Sequence, residues 1–362
     1  MKNDQINNTS GLADIVQPLT DWYRQNKRIL PWRDQDNAYY TWVSEIMLQQ
    51  TRVEAVKPYF LRFIGELPDV QALAECQEEK LMKLWEGLGY YNRVRNMQLA
   101  AQTVVSEYGG KLPASYEALL GLKGIGNYTA GAIASIAYHI PVPAVDGNVL
   151  RVLSRITEDR QDIMKQSVRR QVEEKLKEVM PKDTPGDFNQ ALMELGAVVC
   201  VPNGPARCEV CPVVKYCLAF RHGTVDELPV KTPKKERTRE DRTVFVIQDG
   251  ERTAIQKRPK KGLLAGLYEF PNLEGHLTRD EALEKVKNMQ LEPLYIEKLP
   301  DAKHIFSHIE WRMTGYLIRV ASLDTDRELP FIFAEKKQSE KQYAIPSAFR
   351  AYVKYMKEEP GK

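Results

Sequence analysis

The sequence contains few cysteines, no long apolar run and no repeated segment. Five cysteines in 362 residues are too few for the disulfide scaffold of a small secreted domain. No stretch approaches the roughly 20 apolar residues that a transmembrane helix needs, and the polar start, MKNDQINNTS, lacks the apolar core of a secretory signal. No period typical of solenoids is present. We therefore expect a protein that works in the cytoplasm, away from membranes.

Length and net charge limit the number of domains and the kinds of binding partner. A chain of 362 residues is long enough for two or three domains. Hydrophobic residues account for 43% and charged residues for 28%, which is typical of an ordinary soluble protein. The net charge of +3 is compatible with nucleic-acid binding but does not indicate it, because a sum over the chain says little about local patches.

Apolar periodicity divides the chain into two parts. Before residue 222, apolar side chains recur at three- and four-residue spacing, as in Leu81–Leu88, and this period predicts helices. The polar, Pro-bearing segment 223–241 is typical of a linker between domains. We therefore predict an all-α region over residues 1–222 and a separate domain over 242–362.

The second domain is predicted to mix strands with a helix. Thr243–Gln248 and Arg252–Lys257 flank Asp249-Gly250, a dipeptide that favours the tight turn of a β-hairpin. Trp311–Val320 has the composition of a strand, and residues 280–289 have that of a helix. The expected fold class is therefore multi-domain, with an all-α region followed by a smaller α/β domain.

Four of the five cysteines lie close together at the end of the predicted helical region. Two have the spacing C-x-x-C, and the outer two are separated from them by seven and five residues. Four thiolates on one compact loop can hold an iron–sulfur cluster or a tetrahedral zinc ion, while a disulfide pair is disfavoured in a reducing compartment. The candidate ligands are Cys200, Cys208, Cys211 and Cys217.

A second motif is the glycine-containing turn in which Gly124 and Gly126 enclose Ile125. Two glycines around one apolar residue favour a tight turn between helices. The backbone N–H groups of such a turn, with the helix N-terminus that follows, can bind a DNA phosphate whatever the base sequence. A plain helix–helix turn with a glycine C-cap explains the same residues, so the turn alone leaves both interpretations open.

Two acidic residues are candidates for catalysis. Asp146 lies between an apolar stretch and a predicted helix that begins near Asn148. There it can act as an N-cap, as a carboxylate that faces a developing positive charge, or as both. Glu45 lies on an otherwise apolar helix, where desolvation would raise its pKa and suit it to general-acid catalysis. The alternative for Glu45 is a solvent-facing position on an amphipathic helix.

Together these motifs resemble the MutY adenine DNA glycosylases, within the endonuclease III-like helix–hairpin–helix superfamily, over nearly the whole chain. The resemblance implies an all-α helix–hairpin–helix glycosylase fold with an iron–sulfur loop, followed by a C-terminal Nudix-like α/β domain. It also implies an enzyme that hydrolyses the N-glycosidic bond of adenine opposite 8-oxoguanine, and of adenine opposite guanine. The matching stretches are Leu30–Arg33, Trp42–Thr51, Glu86–Tyr91, Gly124–Gly126, Val145–Val149, the four cysteines and Phe306–His308.

The resemblance implies catalytic roles. Glu45 would protonate the adenine, and Asp146 would stabilise the oxocarbenium-like sugar by charge or by transient covalent attachment, as in glycosidases with paired carboxylates. Tyr128 and Asn148 would support the two acids. Relatives that also cleave the strand carry a lysine nucleophile where this chain has Tyr128, which cannot form an imine. Base removal without an efficient lyase step is therefore expected.

The resemblance also implies contacts with DNA. The base has to leave the stack before its glycosidic bond can be reached, so a pocket must receive the flipped adenine. The implied lining residues are Arg28, Leu30, Trp32, Arg33 and Gln190. The implied duplex contacts are Gln50 and Tyr90 in the gap, Thr51 and Leu88 near the opposite base, and Gly124 and Gly126 on the backbone.

In the C-terminal domain, Leu267–Pro271 is similar to the strand that opens a Nudix site. The acidic helix of that motif does not follow this strand. The acids that do occur there, Asp280, Glu281 and Glu284, are too scattered to hold Mg²⁺ in the same way. The domain is therefore expected to recognise a base rather than to hydrolyse a nucleotide. The residues implied to contact 8-oxoguanine are Phe306, Ser307 and His308, for which the alternative is a loop that packs against the linker.

The implied cofactor is a [4Fe–4S] cluster on the four cysteines. Seven residues, Val201–Arg207, separate the first two ligands, one more than the usual six of the family; the loop they form should absorb the extra length at little cost. The expected partner is double-stranded DNA with 8-oxoguanine:adenine or guanine:adenine mispairs, bound by a monomer. Two other functions are open: a bifunctional glycosylase/lyase on oxidised pyrimidines, and a lesion-binding protein without catalysis.

Overall fold

The computed structural model describes residues 9–233, 236–322 and 329–356. The chain forms two compact units. The first comprises Met1–Glu75 and Asn92–Pro233, and the second comprises Cys76–Tyr91 and Lys234–Lys362. Over the described ranges, no helix has both the length and the apolar character needed to cross a bilayer.

The first unit is built from helices, as its apolar periodicity predicts, and its described residues contain no strand. The helices, together with α6 of the second unit, are α1 (Thr9–Ala13), α2 (Val16–Asn26), α3 (Ala38–Leu48), α4 (Val53–Glu66), α5 (Val70–Glu75), α6 (Glu78–Leu84), α7 (Asn92–Tyr108), α8 (Tyr116–Leu120), α9 (Asn127–Ala137), α10 (Gly147–Ile156), α11 (Gln166–Val179), α12 (Pro185–Val198) and α13 (Leu218–His222).

Several helices of this unit begin at residues suited to that position. Asn37 accepts a hydrogen bond from the backbone N–H of Tyr40 at the start of α3, and Ser115 accepts one from Ala118 at the start of α8. Pro185 occupies the first position of α12, where the N–H that proline lacks would have no partner within the helix. The starts of these helices are thus set by local sequence.

Two glycines allow close backbone approach around α10. A Cβ on Gly196 of α12 would lie 2.6 Å from the Cβ of Asn148 in α10. A Cβ on Gly131 of α9 would collide with the backbone carbonyl of Pro143. Since α12 packs against α2, α9 and α10, it brings side chains from distant parts of the sequence to one place.

The described part of the second unit contains a mixed seven-stranded sheet. Its strands are β1 (Thr238–Asp249), β2 (Arg252–Lys257), β3 (Tyr268–Glu269), β4 (Asn272–Glu274), β5 (Pro293–Ile305), β6 (Ile309–Val320) and β7 (Ile332–Ala334). The order is β3-β2-β1-β6-β5, with β4 paired to β1 and β7 paired to β2. β1 and β6 run parallel, whereas β1–β2 and β5–β6 are antiparallel hairpins.

Alternate residues of β1 face two separate cores. Val244 and Val246 pack in one core, and Phe245 and Ile247 pack in the other with Val286, as the two-residue period of a strand requires. The helices of this region are α14 (Arg279–Asn288), α15 (Lys336–Gln342) and α16 (Arg350–Val353). The predicted α/β class, the hairpin, the helix near 280–289 and the strand at 311–320 are confirmed.

The linker is shorter than the sequence prediction of 223–241. Leu228 is buried, and the carbonyl of Val230 accepts a hydrogen bond from the backbone N–H of Ile163. This part of the predicted linker therefore packs on the first unit. At the other end, β1 already begins at Thr238, because its pairing with β6 extends beyond the apolar residues that marked the strand in the sequence.

The segment Cys76–Tyr91 belongs to the second unit, although the predicted boundaries place it in the first domain. It contains α6 and the turn that follows. Lys83 donates hydrogen bonds to the carbonyls of Ser339 and Tyr343, near the end of α15. Periodicity could not reveal this assignment, because α6 has the same helical pattern as the helices on either side of it in the sequence.

Candidate active site

Glu45 lies inside α3, where surrounding side chains exclude water. Only 7% of its surface is exposed, and its carboxylate accepts a hydrogen bond from the hydroxyl of Tyr128 on α9. Burial raises the pKa of Glu45 to about 7; the charge of Asp146 acts in the same direction, while Tyr128 and Arg33 oppose it. A carboxyl with this pKa is partly protonated at neutral pH, as a general acid must be. The solvent-facing alternative for Glu45 is wrong.

Asp146 is the N-cap of α10. Its carboxylate accepts hydrogen bonds from the backbone N–H of Val149 at 2.8 Å and from Nδ2 of Asn148 at 2.7 Å. Burial raises the pKa of Asp146, while these hydrogen bonds and the charge of Arg151 oppose the rise. The N-cap role is confirmed, and the same bonds fix the orientation of a carboxylate whose charge acts on Glu45.

Side chains from two other helices hold the segment that leads into α10. Asn189 of α12 is fully buried. It accepts a hydrogen bond from the N–H of Ala144 at 3.0 Å and donates one to the carbonyl of Val142 at 2.9 Å. Arg169 of α11 donates to the carbonyl of Val145. Side chains of α11 and α12 therefore hold the irregular segment that leads to Asp146.

A chain of hydrogen bonds connects Asp146 with the first cysteine of the cluster loop. Asn148, which donates to Asp146, accepts a hydrogen bond from Nη2 of Arg151 at 2.8 Å. Arg151 also donates to the carbonyl of Gly196 at 2.8 Å and to that of Cys200 at 2.9 Å. Sequence reasoning missed Arg151, although a basic residue three positions after Asn148 on a mostly apolar helix was a usable signal.

Arg28 and Arg33, from the loop before α3, share one buried carboxylate, Glu194 of α12. Arg28 donates to it through Nε at 2.6 Å and Nη2 at 2.9 Å, and Arg33 donates through Nη2 at 2.6 Å. Burial opposes ionisation, but the two guanidinium groups hold the pKa of Glu194 at about 2. Gln190 lies one turn earlier on α12 and is half-buried. Glu194 was also missed; its position four residues after Gln190 was the available signal.

The remaining two predicted pocket residues are buried in the protein. Leu30 is 5% exposed and Trp32 is 6% exposed. The ring of Trp32 packs edge-on against Phe60, with 5.2 Å between the ring centroids. Both residues belong to the loop that carries Arg28 and Arg33, and their role in the adenine pocket stays a prediction.

Gly124 and Gly126 form the turn between α8 and α9, as predicted for a helix–hairpin–helix. Gly124 has a φ of 79°, and a Cβ there would lie 2.7 Å from the Cβ of Asn96. Gly126 is the N-cap of α9, and no side chain caps this end. Backbone N–H groups at the start of α9 are therefore available to an anion.

The predicted duplex-filling residues have strained backbones. Gln50 has a φ of 60° and Tyr90 a φ of 46°, values that non-glycine residues rarely adopt and that concentrate at functional sites. Gln50 is exposed and Tyr90 is 49% exposed, whereas Thr51 is half-buried and Leu88 is 6% exposed. Gln50 and Thr51 belong to the first unit, and Leu88 and Tyr90 belong to the second.

Phe306, Ser307 and His308 form the turn between β5 and β6. The ring of Phe306 packs against that of Trp311, with centroids 4.9 Å apart, and its carbonyl accepts a hydrogen bond from Arg237 at 3.3 Å. Ser307 and His308 are exposed and hydrogen-bonded to each other at 3.0 Å. The turn thus contacts the chain that leads into β1 and also presents two exposed polar side chains.

All four predicted cluster ligands border one cavity of the first unit, and none is in a disulfide. Burial raises the pKa of Cys211 to about 12 and raises the pKa values of Cys208 and Cys217, and the charges of neighbouring thiolates add to the effect. Arg155 donates to Sγ of Cys200 at 3.2 Å. A nearby cation would favour the thiolates of Cys208, Cys211 and Cys217, so the donor set fits a metal group.

Among the described residues, no three Cys, His, Asp or Glu side chains are close enough to ligate a single metal ion.

Two family descriptions match the chain. Residues 43–182 match the HhH-GPD superfamily base excision DNA repair protein, and residues 243–355 match the NUDIX domain. The first match includes Glu45, Tyr128 and Asp146, so the site lies within the part that this family shares.

Relatives extend the match to nearly the whole chain. An adenine DNA glycosylase of Rattus norvegicus is 34% identical over 96% of this chain and 80% of its own length. An adenine DNA glycosylase of Buchnera aphidicola subsp. Schizaphis graminum is 32% identical over 84% of this chain and 87% of its own. Among solved structures, a thermostable thymine-DNA glycosylase superposes with a TM-score of 0.52 at 25% identity, over 60% of this chain and 100% of its own. Endonuclease III trapped with DNA gives a TM-score of 0.51 at 22% identity over 59% of this chain and 98% of its own, and so shares the helical fold.

Proposed function

The chain belongs to the adenine DNA glycosylases of the HhH-GPD superfamily, and on this basis we propose that it removes adenine from duplex DNA by hydrolysing the N-glycosidic bond. It is a DNA N-glycosylase of base excision repair, and DNA is its partner. One observation carries the proposal: Glu45 is buried with a pKa of about 7, bonded to Tyr128, and within the electrostatic reach of Asp146.

The two carboxyl groups divide the reaction between them. The flipped adenine accepts the proton of Glu45 on a ring nitrogen, and the bonding electrons of the C–N bond leave with the base. The positive charge that develops on the sugar is stabilised by the carboxylate of Asp146. Water then adds to the sugar carbon and gives its proton to Glu45, which restores the acid.

The adenine pocket is proposed to use the charged cluster on α12. Because Glu194 fixes Arg28 and Arg33, their remaining N–H groups have set directions and can donate to ring nitrogens of the base. Gln190, one turn away, offers both a donor and an acceptor. A site built from fixed polar groups discriminates strongly against a base that cannot pair with them.

Glu45→Gln tests the proposal. We expect the single-turnover rate of adenine release to fall at least about 100-fold, because general-acid catalysis contributes about 10²–10⁴-fold. The side chain keeps its size and its contact with Tyr128, and binding to the same duplex is measured in parallel. If the wild type releases adenine no faster than the variant, the chain is a lesion-binding protein and the proposed enzyme is wrong.

We propose that the enzyme is monofunctional. The hydroxyl of Tyr128 is bonded to Glu45, and a phenol cannot form the imine that a lyase step requires. Borohydride reduction during turnover should trap little protein on DNA. Efficient trapping of the wild type would instead support the bifunctional glycosylase/lyase on oxidised pyrimidines.

The opposite base is proposed to be 8-oxoguanine, with guanine as a second substrate. Ser307 and His308 are exposed at the tip of a hairpin, and the rings of Phe306 and Trp311 pack together beside this tip. This arrangement is suited to recognition of the edge of a nucleobase. Duplexes that differ only in the base opposite adenine test this. We expect the rate preference for 8-oxoguanine over guanine to fall in a Ser307→Ala, His308→Ala double variant; an unchanged preference would remove this role from the turn.

The four cysteines are proposed to hold a [4Fe–4S] cluster, which when bound supplies a structural cross-link of its loop. The protein is further proposed to act as a monomer in the cytoplasm, at the nucleoid if the source is bacterial. Iron and sulfide analysis of the native protein, with its visible absorbance, tests the cofactor. A colourless preparation that contains zinc in place of iron would contradict it.

A further inference from the structure

Glu86 stands directly before the turn Gly87–Tyr91, in the segment Cys76–Tyr91 of the second unit. Its carboxylate accepts a hydrogen bond from the backbone N–H of Ile345 at 2.8 Å and pairs with Nζ of Lys83 at 2.6 Å. The side chains of Lys83 and Glu86 are only 21% and 29% exposed, so solvent screens their interaction incompletely.

Lys83 strengthens the same attachment. Its ammonium group donates to the carbonyls of Tyr343 at 3.2 Å and Ser339 at 3.4 Å, at the C-terminal end of α15. A cation is favourable there because the last carbonyls of a helix carry partial negative charge. Lys83 and Glu86 together therefore attach the end of α6 to residues 339–345.

The turn that follows has an unusual backbone. Gly87 and Gly89 have φ values of 98° and 68°, and the non-glycine Tyr90 has a φ of 46°. The indole N–H of Trp85 donates to the carbonyl of Gly89 at 3.1 Å. A strained residue keeps such a conformation only where the surroundings enforce it, and Glu86 supplies one such constraint immediately before the turn.

The segment Cys76–Tyr91 is covalently joined at both ends to the unit that contains Glu45 and Asp146, yet it folds within the unit that contains Phe306–His308. Resting on the proposed function, we propose that Glu86 is a positioning residue that fixes the turn Gly87–Tyr91 to the C-terminal domain, so that recognition of the opposite base is transmitted through this turn to adenine excision. Its effect is on selectivity, because the turn matters most when the opposite base is engaged.

The test compares Glu86→Ala, Glu86→Gln and Lys83→Met in the full chain. The primary quantity is the ratio of single-turnover excision rates for 8-oxoguanine:adenine and guanine:adenine duplexes. We expect the ratio to fall about 2- to 10-fold in Glu86→Ala, the factor that one hydrogen bond is worth. Glu86→Gln keeps an acceptor for Ile345 and should retain most of the ratio. Lys83→Met should give an intermediate loss and serves if the alanine variant does not fold.

A second measurement does not depend on catalysis. Amide hydrogen exchange of residues 87–91 should quicken in Glu86→Ala and remain slow in Glu86→Gln. The matched control is Glu79→Ala, which breaks the 2.8 Å pair between Glu79 of the same segment and Lys257 of β2. It should alter neither exchange in the turn nor the ratio.

The outcomes separate the two claims. An unchanged ratio or unchanged exchange in Glu86→Ala would overturn the positioning role, and so would an equal loss of both rates. A wild type that excises no adenine would instead overturn the proposed function, while the exchange result would still decide whether Glu86 holds the turn.

Discussion

Glu45 and Asp146 are both buried carboxyl groups, but they differ in the hydrogen bonds that they accept. Burial within its helix raises the pKa of Glu45 to about 7. Asp146 is also buried, but the N–H of Val149 and the amide of Asn148 donate to its oxygens and favour the ionised form. These hydrogen bonds suit Asp146 to act as an anion beside an acid at Glu45.

The rate of excision should therefore have a bell-shaped dependence on pH. Above about 7, the pKa of Glu45, the rate falls tenfold per pH unit as the acid loses its proton. At low pH the rate falls again as Asp146 becomes protonated, and this limb lies above the ordinary range of an aspartate because the pKa of Asp146 is raised. Single-turnover rates from about pH 4 to about pH 9 measure both limbs. A rate independent of pH above neutrality would contradict the role of Glu45.

Glu45 also makes the stability of the protein depend on pH. Its pKa is about 7 in the folded state, compared with an ordinary 4.5, so its contribution to stability is complete below about 4.5 and is lost as the pH rises through 7. At about pH 8, Glu45→Gln should therefore have a free energy of unfolding up to about 3 kcal/mol higher than that of the wild type, measured by urea unfolding. At about pH 5 the two free energies should differ little.

Glu194 is the matched control with the opposite sign. Its pKa is held at about 2, so its contribution is present above its ordinary value and lost only as the pH falls through 2. Glu194→Gln should accordingly reduce the free energy of unfolding at about pH 8, since it leaves Arg28 and Arg33 without their anion. If both variants change the free energy of unfolding in the same direction at about pH 8, burial of the Glu45 charge is not the cause of the change in Glu45→Gln.

At the scale of elements, the helix–hairpin–helix turn offers a comparison between two adjacent glycines. Gly124 has a positive φ and no room for a Cβ beside Asn96, whereas Gly126 has a φ of −101° and no atom within 4 Å of a Cβ. Gly124→Ala should lower the free energy of unfolding by about 1–3 kcal/mol. Gly126→Ala should lower it by less than about 1 kcal/mol. Urea unfolding of both variants measures these free energies. Equal losses of stability would mean that the turn adjusts to a side chain at Gly124 at little cost.

Arg151 links three elements through one guanidinium group. It orients Asn148, and through it Asp146, while bonding to the carbonyls of Gly196 and Cys200. Arg151→Met should slow excision about 10- to 100-fold, the value of one or two buried hydrogen bonds from a charged donor. DNA binding and iron content are measured alongside. A variant that loses the proposed cluster but keeps its excision rate would show that Arg151 serves the cysteine loop alone.

The roles of Glu45 and Asp146 came from the family resemblance, whereas local pattern predicted the helices and the glycine turn, because each depends on neighbours within a few residues. Glu194 could not be assigned in this way, since its partner Arg28 lies 166 positions away. β5 escaped prediction because it contains prolines and a register shift between Leu299 and Ala302 that interrupts the two-residue period. The roles implied for Gln50, Tyr90 and Phe306–His308 stay predictions, since they need the duplex that these residues would contact.

At the scale of the whole molecule, the boundary between the units is crossed by the chain more than once. If a protease site is placed in the linker and cut, the C-terminal fragment should remain with the rest of the chain, because α6 and Glu86 still bond to residues 339–345. Gel filtration after cleavage measures this. Lys83→Met with Glu86→Ala should weaken the association; fragments that separate at once in the wild type would show that these contacts do not hold the segment.

Because Cys76–Tyr91 folds with the second unit, its position in the sequence has a consequence for the order of folding during synthesis. This segment leaves the ribosome long before Ile345, whose backbone N–H donates a hydrogen bond to Glu86, has been translated. At about 5–20 residues per second, the interval is on the order of tens of seconds. During that time the helices on either side can fold, whereas residues 339–345, to which α6 and its turn attach, have not yet been made. Residues near the C-terminus therefore complete an element that was among the first to be made, so a premature stop there would damage the turn Gly87–Tyr91 as well as the domain it truncates.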